Sequence, residues 1–125
     1  MSDAVAGLVR QIDLLCEDDL DFRRGLIRSF IAEGDKDVAR LRGAFDARDT
    51  EAVRVVAHLL KGASATLGAD GLASLCGIVE RVVRLGGPVD EVEGQVREIE
   101  TSWTEMREGL AKVLYEETCA VGAAR

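Results

Sequence analysis

The sequence points to an all-α fold, an up-and-down four-helix bundle with an additional N-terminal helix packed across one end. Three observations lead there. Apolar residues recur at three- and four-residue steps in five successive stretches, the period of a helix with one face on a core. The breaks between those stretches span only two to five residues, and connections that short force neighbouring helices to run antiparallel. The 125 residues include one proline and are 47% hydrophobic, enough to bury a single core without metal or disulfide staples. Residues 1–116 are therefore read as one domain, and 117–125, where the pattern lapses, as a frayed tail.

The first helix is expected to start at Asp3, its N-cap, and to end at Leu15, with Val5, Leu8, Val9, Ile12 and Leu15 as its apolar stripe. Cys16-Glu17-Asp18 breaks that pattern, and Asp18 or Asp19 caps a long second helix. Its buried face is Leu26, Ile27, Phe30, Ile31, Val38, Leu41 and Phe45, with Arg23, Arg24, Arg28, Lys36 and Asp37 outside. Gly25, Gly34 and Gly43 weaken the helix propensity here, and a kink is expected near Gly34. Arg48-Asp49-Thr50 is the next break. Asp49 caps a third helix that runs to Leu67 and ends on Gly68 in the left-handed conformation. Asp70 caps the fourth, whose stripe is Leu72, Leu75, Cys76, Val79 and Val82 or Val83. Gly86-Gly87-Pro88 stops it, and Pro88 opens the fifth in its first turn. That last helix carries the most regular repeat, Val92, Val96, Ile99, Trp103, Met106, Leu110 and Val113, a bundle seam.

The formal net charge is −7. An acidic balance argues against a nucleic-acid binder, whose phosphate contacts need a basic face. No run of 18 apolar residues could span a membrane, and Met1-Ser2-Asp3-Ala4-Val5 lacks the basic segment that leads a secretory signal. The expectation is a cytoplasmic monomer that binds neither nucleic acid nor membrane. Cys16, Cys76 and Cys119 are widely separated, form no C-x-x-C pair and have only one histidine to join them, so reduced thiols rather than a zinc site are expected. Cys76 falls on an apolar stripe and is assigned to the core.

That one histidine, His58, sits in Ala57-His58-Leu59-Leu60-Lys61-Gly62-Ala63-Ser64-Ala65-Thr66-Leu67-Gly68. Val53, Val56, Ala57, Leu60, Ser64 and Leu67 form the core-facing stripe of this helix. At 100° per residue, Arg54, His58, Lys61, Gly62 and Ala65 fall on the opposite face. A lone histidine is ordinarily a satisfied structural residue, but the neighbours of this one change the reading. Lys61, three residues on, can reach a group attached to the ring. Gly62, four residues on, costs about 1 kcal/mol in a helix interior and needs a reason, which clearance beside the imidazole supplies. An exposed, unprotonated imidazole with a nearby cation suits a nucleophile that accepts an anionic group.

These residues resemble the signature of histidine-containing phosphotransfer (HPt) domains of His-to-Asp phosphorelays: a histidine, Lys-Gly at the third and fourth positions after it, small residues, and a glycine ending the helix. His58, Lys61, Gly62, Ala63, Ala65 and Gly68 match that pattern, and Leu72, Leu75, Cys76 and Glu80 fit the family's following helix. The resemblance implies the same bundle architecture. It also implies that His58 is the phosphoacceptor, generally at Nε2 in this family, that Lys61 steadies the phosphate charge, and that Gly68 is structural. The partners implied are the receiver domain of a hybrid histidine kinase as donor and a response regulator as acceptor. The receiver brings the Mg²⁺, and no cofactor or metal is expected on this chain. A phosphorylation-independent helical adaptor that binds receiver or kinase domains is the alternative, and the intact His-x-x-Lys-Gly speaks against it.

An autonomous enzyme is not expected. No carboxylate lies three or four residues from His58 on its own helix, where Arg54, Val55, Lys61 and Gly62 stand, so nothing there orients the ring as a general base, and no second metal ligand is one turn away. A kinase dimerisation helix would place an acidic residue directly after the histidine, where this chain has Leu59. Arg54, Val55, Leu59, Gly62 and Ala65 are the candidate partner-binding residues. For Val55, Leu59 and Thr66, on the flank between the histidine face and the core, packing against a neighbouring helix is the expectation. An apolar docking rim, joined by Arg23 and Arg24, is the alternative, and the exposure of Leu59 separates the two. Gly77 on the fourth helix finds no explanation in the sequence.

Overall fold

Two aspartates start the two central helices. In the computed structural model, which describes residues 3–123 and side chains as far as Glu116, the Asp19 carboxylate accepts a hydrogen bond from the Phe22 amide at 3.0 Å, and Asp49 accepts one from the Ala52 amide at 3.1 Å. Each satisfies an amide that the first helical turn leaves unpaired. The helices are α1 (Asp3–Cys16), α2 (Leu20–Asp46), α3 (Thr50–Thr66), α4 (Asp70–Arg84) and α5 (Glu93–Ala123), with a 3₁₀ turn over Val89–Val92. No strand occurs among the described residues.

One device ends three of them. At Gly68 (φ +77°) and Gly86 (φ +89°) the chain enters the left-handed region, and the next amide reaches back to a carbonyl inside the last turn, Ala69 to Ser64 at 2.8 Å and Gly87 to Val82 at 2.9 Å. This is the Schellman closure, which glycine enters without a Cβ penalty. Arg48 does the same after α2 at φ +56°, and Asp49 reaches back to Ala44 at 3.0 Å. Its guanidinium offsets the strain, lying 4.9 Å from the centre of the Phe45 ring and pairing with Asp90 at 3.0 Å.

Several boundaries differ from expectation. Ala69, not Asp70, is the residue before α4 and caps it with no side-chain bond; Asp70 is in the first turn, where its charge meets the positive helix end. Asp3 likewise belongs to the first turn of α1. Pro88 precedes the 3₁₀ turn instead of opening α5. Helical backbone continues to Ala123, through most of the segment expected to fray, and Cys119 lies outside the described side chains. In α1 the stripe is Val5, Leu8, Ile12 and Cys16, at steps of three, four and four, and Leu15 is exposed. Arg23, Arg24 and Asp37 are half-buried, with Arg23 held by Asp13 at 2.6 Å.

α2 to α5 enclose one core, with α3 packed most extensively against α4. Ile27, Leu41, Val53, Val79, Val96, Ile99 and Leu110 are among its fully buried side chains, and Cys76 is buried with them, its thiol pushed up to about 12 by that burial. α1 covers the bundle by touching α2 and α5, and its Gln11 lies beside Gly68 at the α3–α4 turn.

α2 is a single helix through Gly34, and the reason for that glycine is packing. The Trp103 indole of α5 lies flat against it, with Phe30 edge-on at 5.3 Å. The indole Nε1–H donates to Asp35 at 2.8 Å, as does Arg107 Nε at the same distance. The Arg107 bond, aided by the one from Trp103 and opposed by partial burial, holds the Asp35 carboxyl below its ordinary range. A carboxyl depressed in the native state adds stability above its unfolded pKa of about 3.9, and loses that contribution as pH falls through the native value. Asp35→Asn should therefore lower stability near pH 7 by at most about 1 kcal/mol, because the carboxylate is two-fifths exposed. Denaturation curves of the two proteins should converge as pH falls below about 4.

Candidate functional site

The third helix places its residues by period alone. With Val53, Val56, Ala57 and Leu60 buried, the opposite face presents His58, whose side chain is 64% exposed. Gly62 is exposed, and a Cβ built on it would meet nothing within 4 Å outside the local helix backbone. The clearance read from the sequence is present. Because no packing depends on that position, Gly62→Ala should stabilise the protein by about 0.8–1.0 kcal/mol through helix propensity, measurable as a raised denaturation midpoint.

The carboxylate missing from the histidine's own helix comes from α4. Glu80 Oε1 lies 2.9 Å from His58 Nδ1, and Lys61 Nζ donates to Glu80 Oε2 at 3.3 Å. The Glu80 side chain is only 13% exposed. Burial pushes its pKa up, but the hydrogen bonds from His58 and Lys61, with their charges, outweigh that, and the net displacement is downward. Glu80 is thus an ionised, acceptor-only group, so Nδ1 carries the proton and donates it. A neutral ring that donates from Nδ1 keeps its lone pair on Nε2.

Gly77, unexplained by the sequence, lies under the stem of Lys61, whose Cδ would be 3.5 Å from a Cβ there. The lysine crosses α4 at that point to reach Glu80. Arg54, on the same face of α3, is not directed at the imidazole: its Nε donates to Glu51 at 3.0 Å, and a second guanidinium nitrogen binds the same carboxylate. Ala65 lines an open groove of about 860 Å³ between α3 and α4, together with Lys61, Gly77, Glu80, Arg81 and Arg84.

On the other flank of His58 the expectation of helix packing fails. Leu59 is 52% exposed and Val55 42%. Both project beyond the contact with the neighbouring helix, as the apolar-rim alternative requires. Thr66 is also exposed, with its hydroxyl donating back to the Gly62 carbonyl at 2.9 Å. His58 therefore stands on a ridge, with apolar side chains to one side and charged ones to the other.

A family model described as the Hpt domain matches residues 25–113. The chain belongs to the Hpt family. The matched span holds the whole histidine, lysine and glutamate constellation and leaves out α1. This Hpt domain is 32% identical over 80 residues to the phosphorelay intermediate protein YPD1 of Saccharomyces cerevisiae. That match covers 63% of the chain and 46% of YPD1, so the chain spans about half the length of the curated relative it matches. It resembles the crystal structure of histidine-containing phosphotransfer protein B (HptB) from Pseudomonas aeruginosa PAO1, with a TM-score of 0.78 at 25% identity over 86% of this chain and 92% of HptB. It also resembles the HPT domain of an Hpt sensor hybrid histidine kinase from Shewanella, with a TM-score of 0.77 over 91% of this chain and 97% of that one. At 18% identity, that second likeness is one of fold alone.

Glu80 is the functional residue that a helical wheel of α3 cannot find. Its signal is long-range. His58 lies ten residues before Gly68 and Glu80 twelve after it, so an antiparallel hairpin centred on that glycine brings the two level.

Proposed function

We propose that this Hpt domain is a phosphorelay intermediate: His58 accepts a phosphoryl group from the aspartyl phosphate of a hybrid histidine kinase receiver domain and passes it to the aspartate of a response regulator. The observation that carries the reading is an exposed imidazole whose Nδ1 is tied to Glu80, which leaves the lone pair on Nε2. In the first transfer the Nε2 lone pair attacks phosphorus, the P–O bond breaks, and its electron pair returns to the donor carboxylate. The proton on Nδ1 stays in place. Phosphoryl transfer depends on alignment and charge neutralisation. The chain supplies the first through a ring fixed on a helix, and Lys61 contributes to the second.

The chain acts as a phosphocarrier, with the chemistry completed by the Mg²⁺-bearing active centre of the receiver. This fits a nucleophile on a bare ridge, since His58 is not among the residues lining the adjacent groove. Leu59 and Val55 offer the apolar rim for docking, and Gly62 the clearance for the receiver's approach. An adaptor without phosphate chemistry would need the rim but would have no use for that gap. No described helix is long and apolar enough to cross a membrane, and we place the chain in the cytoplasm as a monomer beside its partners.

The test is transfer in time. A receiver domain carrying radiolabelled aspartyl phosphate is mixed with the chain, and a second receiver is added later. Label should appear on this chain in acid-labile, alkali-stable form and then move to the second receiver. Label released only as inorganic phosphate, with none passing through the chain, would overturn the reading.

A further inference from the structure

Glu80 does more than aim the ring. Building on phosphoryl acceptance by His58, we propose that the Glu80 carboxylate keeps the proton on Nδ1 of the phosphorylated imidazole, and so holds the phosphohistidine in the form that can give the group away. A phosphoimidazole without that proton would have to expel an imidazolide anion when the P–N bond breaks. With the proton in place it expels a neutral imidazole. In onward transfer, a receiver carboxylate oxygen bonds to phosphorus, the P–Nε2 pair returns to nitrogen, and the proton remains on Nδ1. The ring is restored to its starting tautomer.

The geometry couples this to the arrival of the phosphoryl group. In the resting site one carboxylate serves two donors, His58 Nδ1 at 2.9 Å and Lys61 Nζ at 3.3 Å, so the lysine offsets part of the charge that the ring would otherwise feel. Phosphoryl oxygens on Nε2 draw the ammonium toward themselves. The full charge of Glu80 then falls on a ring that has become cationic. From α3 the other cation on this face is Arg54, engaged with Glu51; from α4, Arg81 and Arg84 line the groove beyond Glu80. On α2, Arg40 is held by Asp37, and Arg42 by Asp46 and Glu100. Glu80 is the carboxylate that meets Nδ1 directly. A glutamine at this position would accept the same hydrogen bond but carry no charge, which separates orientation from electrostatics.

The experiment needs no partner protein. Phosphoramidate phosphorylates imidazoles directly, and His58 is the only histidine in the chain, so a single phosphohistidine forms. Its protonation is followed by phosphorus NMR against pH, and its hydrolysis rate is measured alongside, in the wild type, Glu80→Gln and Glu80→Ala. An opposite charge in direct contact shifts a pKa by one to three units, and the exposed ring places the effect at the lower end. In Glu80→Gln the inflection should move down by about one pH unit, and the lifetime near pH 8 should lengthen on the order of tenfold. Glu80→Ala should move both in the same direction. An unchanged inflection and lifetime in a helical, folded Glu80→Gln chain would overturn the proposal. A Glu80-dependent lifetime in a chain that exchanges no phosphate with any receiver would support it and overturn the relay reading instead.

Discussion

Replacing His58 with glutamine is expected to reduce phosphoryl uptake from a labelled receiver to the detection limit. The chain holds no second imidazole, and nothing else on this face combines a free lone pair with a bound proton. Glutamine keeps a donor within reach of Glu80 but has no nucleophilic nitrogen, since its amide lone pair is delocalised. The fold should not register the change. The His58 side chain is 64% exposed, and substitutions at such positions stay within about 0.5 kcal/mol. Denaturation curves that overlay, together with a loss of acid-labile label, would locate the effect in the chemistry. Label that persisted on the glutamine variant would place the acceptor elsewhere.

The largest effect on stability should come from Gly34→Ala, a substitution that helix propensity alone would favour by about 1 kcal/mol. A Cβ at this position would fall far inside contact distance of Trp103 Cη2 and Cζ2. The indole cannot easily retreat. It is 4% exposed, tied to Asp35 through Nε1 at 2.8 Å, and wedged by Phe30. Overpacking a core of this kind costs typically 1–3 kcal/mol and occasionally more, and moving the ring would also break its part-buried hydrogen bond to Asp35. A net loss of about 3 kcal/mol is expected in urea denaturation, with the midpoint shifted down. The sign decides the matter, because a stabilised variant would mean that α2 and α5 do not meet at this residue.

Most of the bundle was legible in the chain, and the exceptions share a cause. Periodicity identified the buried face of α3 and α5, and local chemistry narrowed the α2 cap to Asp18 or Asp19 and identified Asp49 as a cap and Gly68 as a left-handed terminus. Those features depend on residues within one turn of each other. The site divided along the same line. His58, Lys61 and Gly62 could be placed on one face from spacing, and that face does meet solvent. The partner of Nδ1 could not, since Glu80 reaches it from another helix across a hairpin. Gly34 looked like a weakness in α2 until Trp103 was set against it, and Gly77 looked idle until the Lys61 stem lay over it. Arg23 seemed outward-facing but is drawn in by Asp13 of α1. Leu59 departs in the other direction: its aliphatic side chain suggests packing, yet half of it meets solvent.

The two-sided ridge at His58 bears on the timing of a relay. The exposed His58 side chain forms a single crest, with Leu59 and Val55 on one slope and Lys61 and Glu80 on the other. A donor and an acceptor that both need that crest must take turns. Under the proposed reading the exchange is double-displacement: initial-rate plots against one receiver, at several fixed levels of the other, should be parallel lines. Under the same reading the phosphohistidine is engaged with neither receiver between the two visits, so its own lifetime sets how long a signal can wait for its recipient.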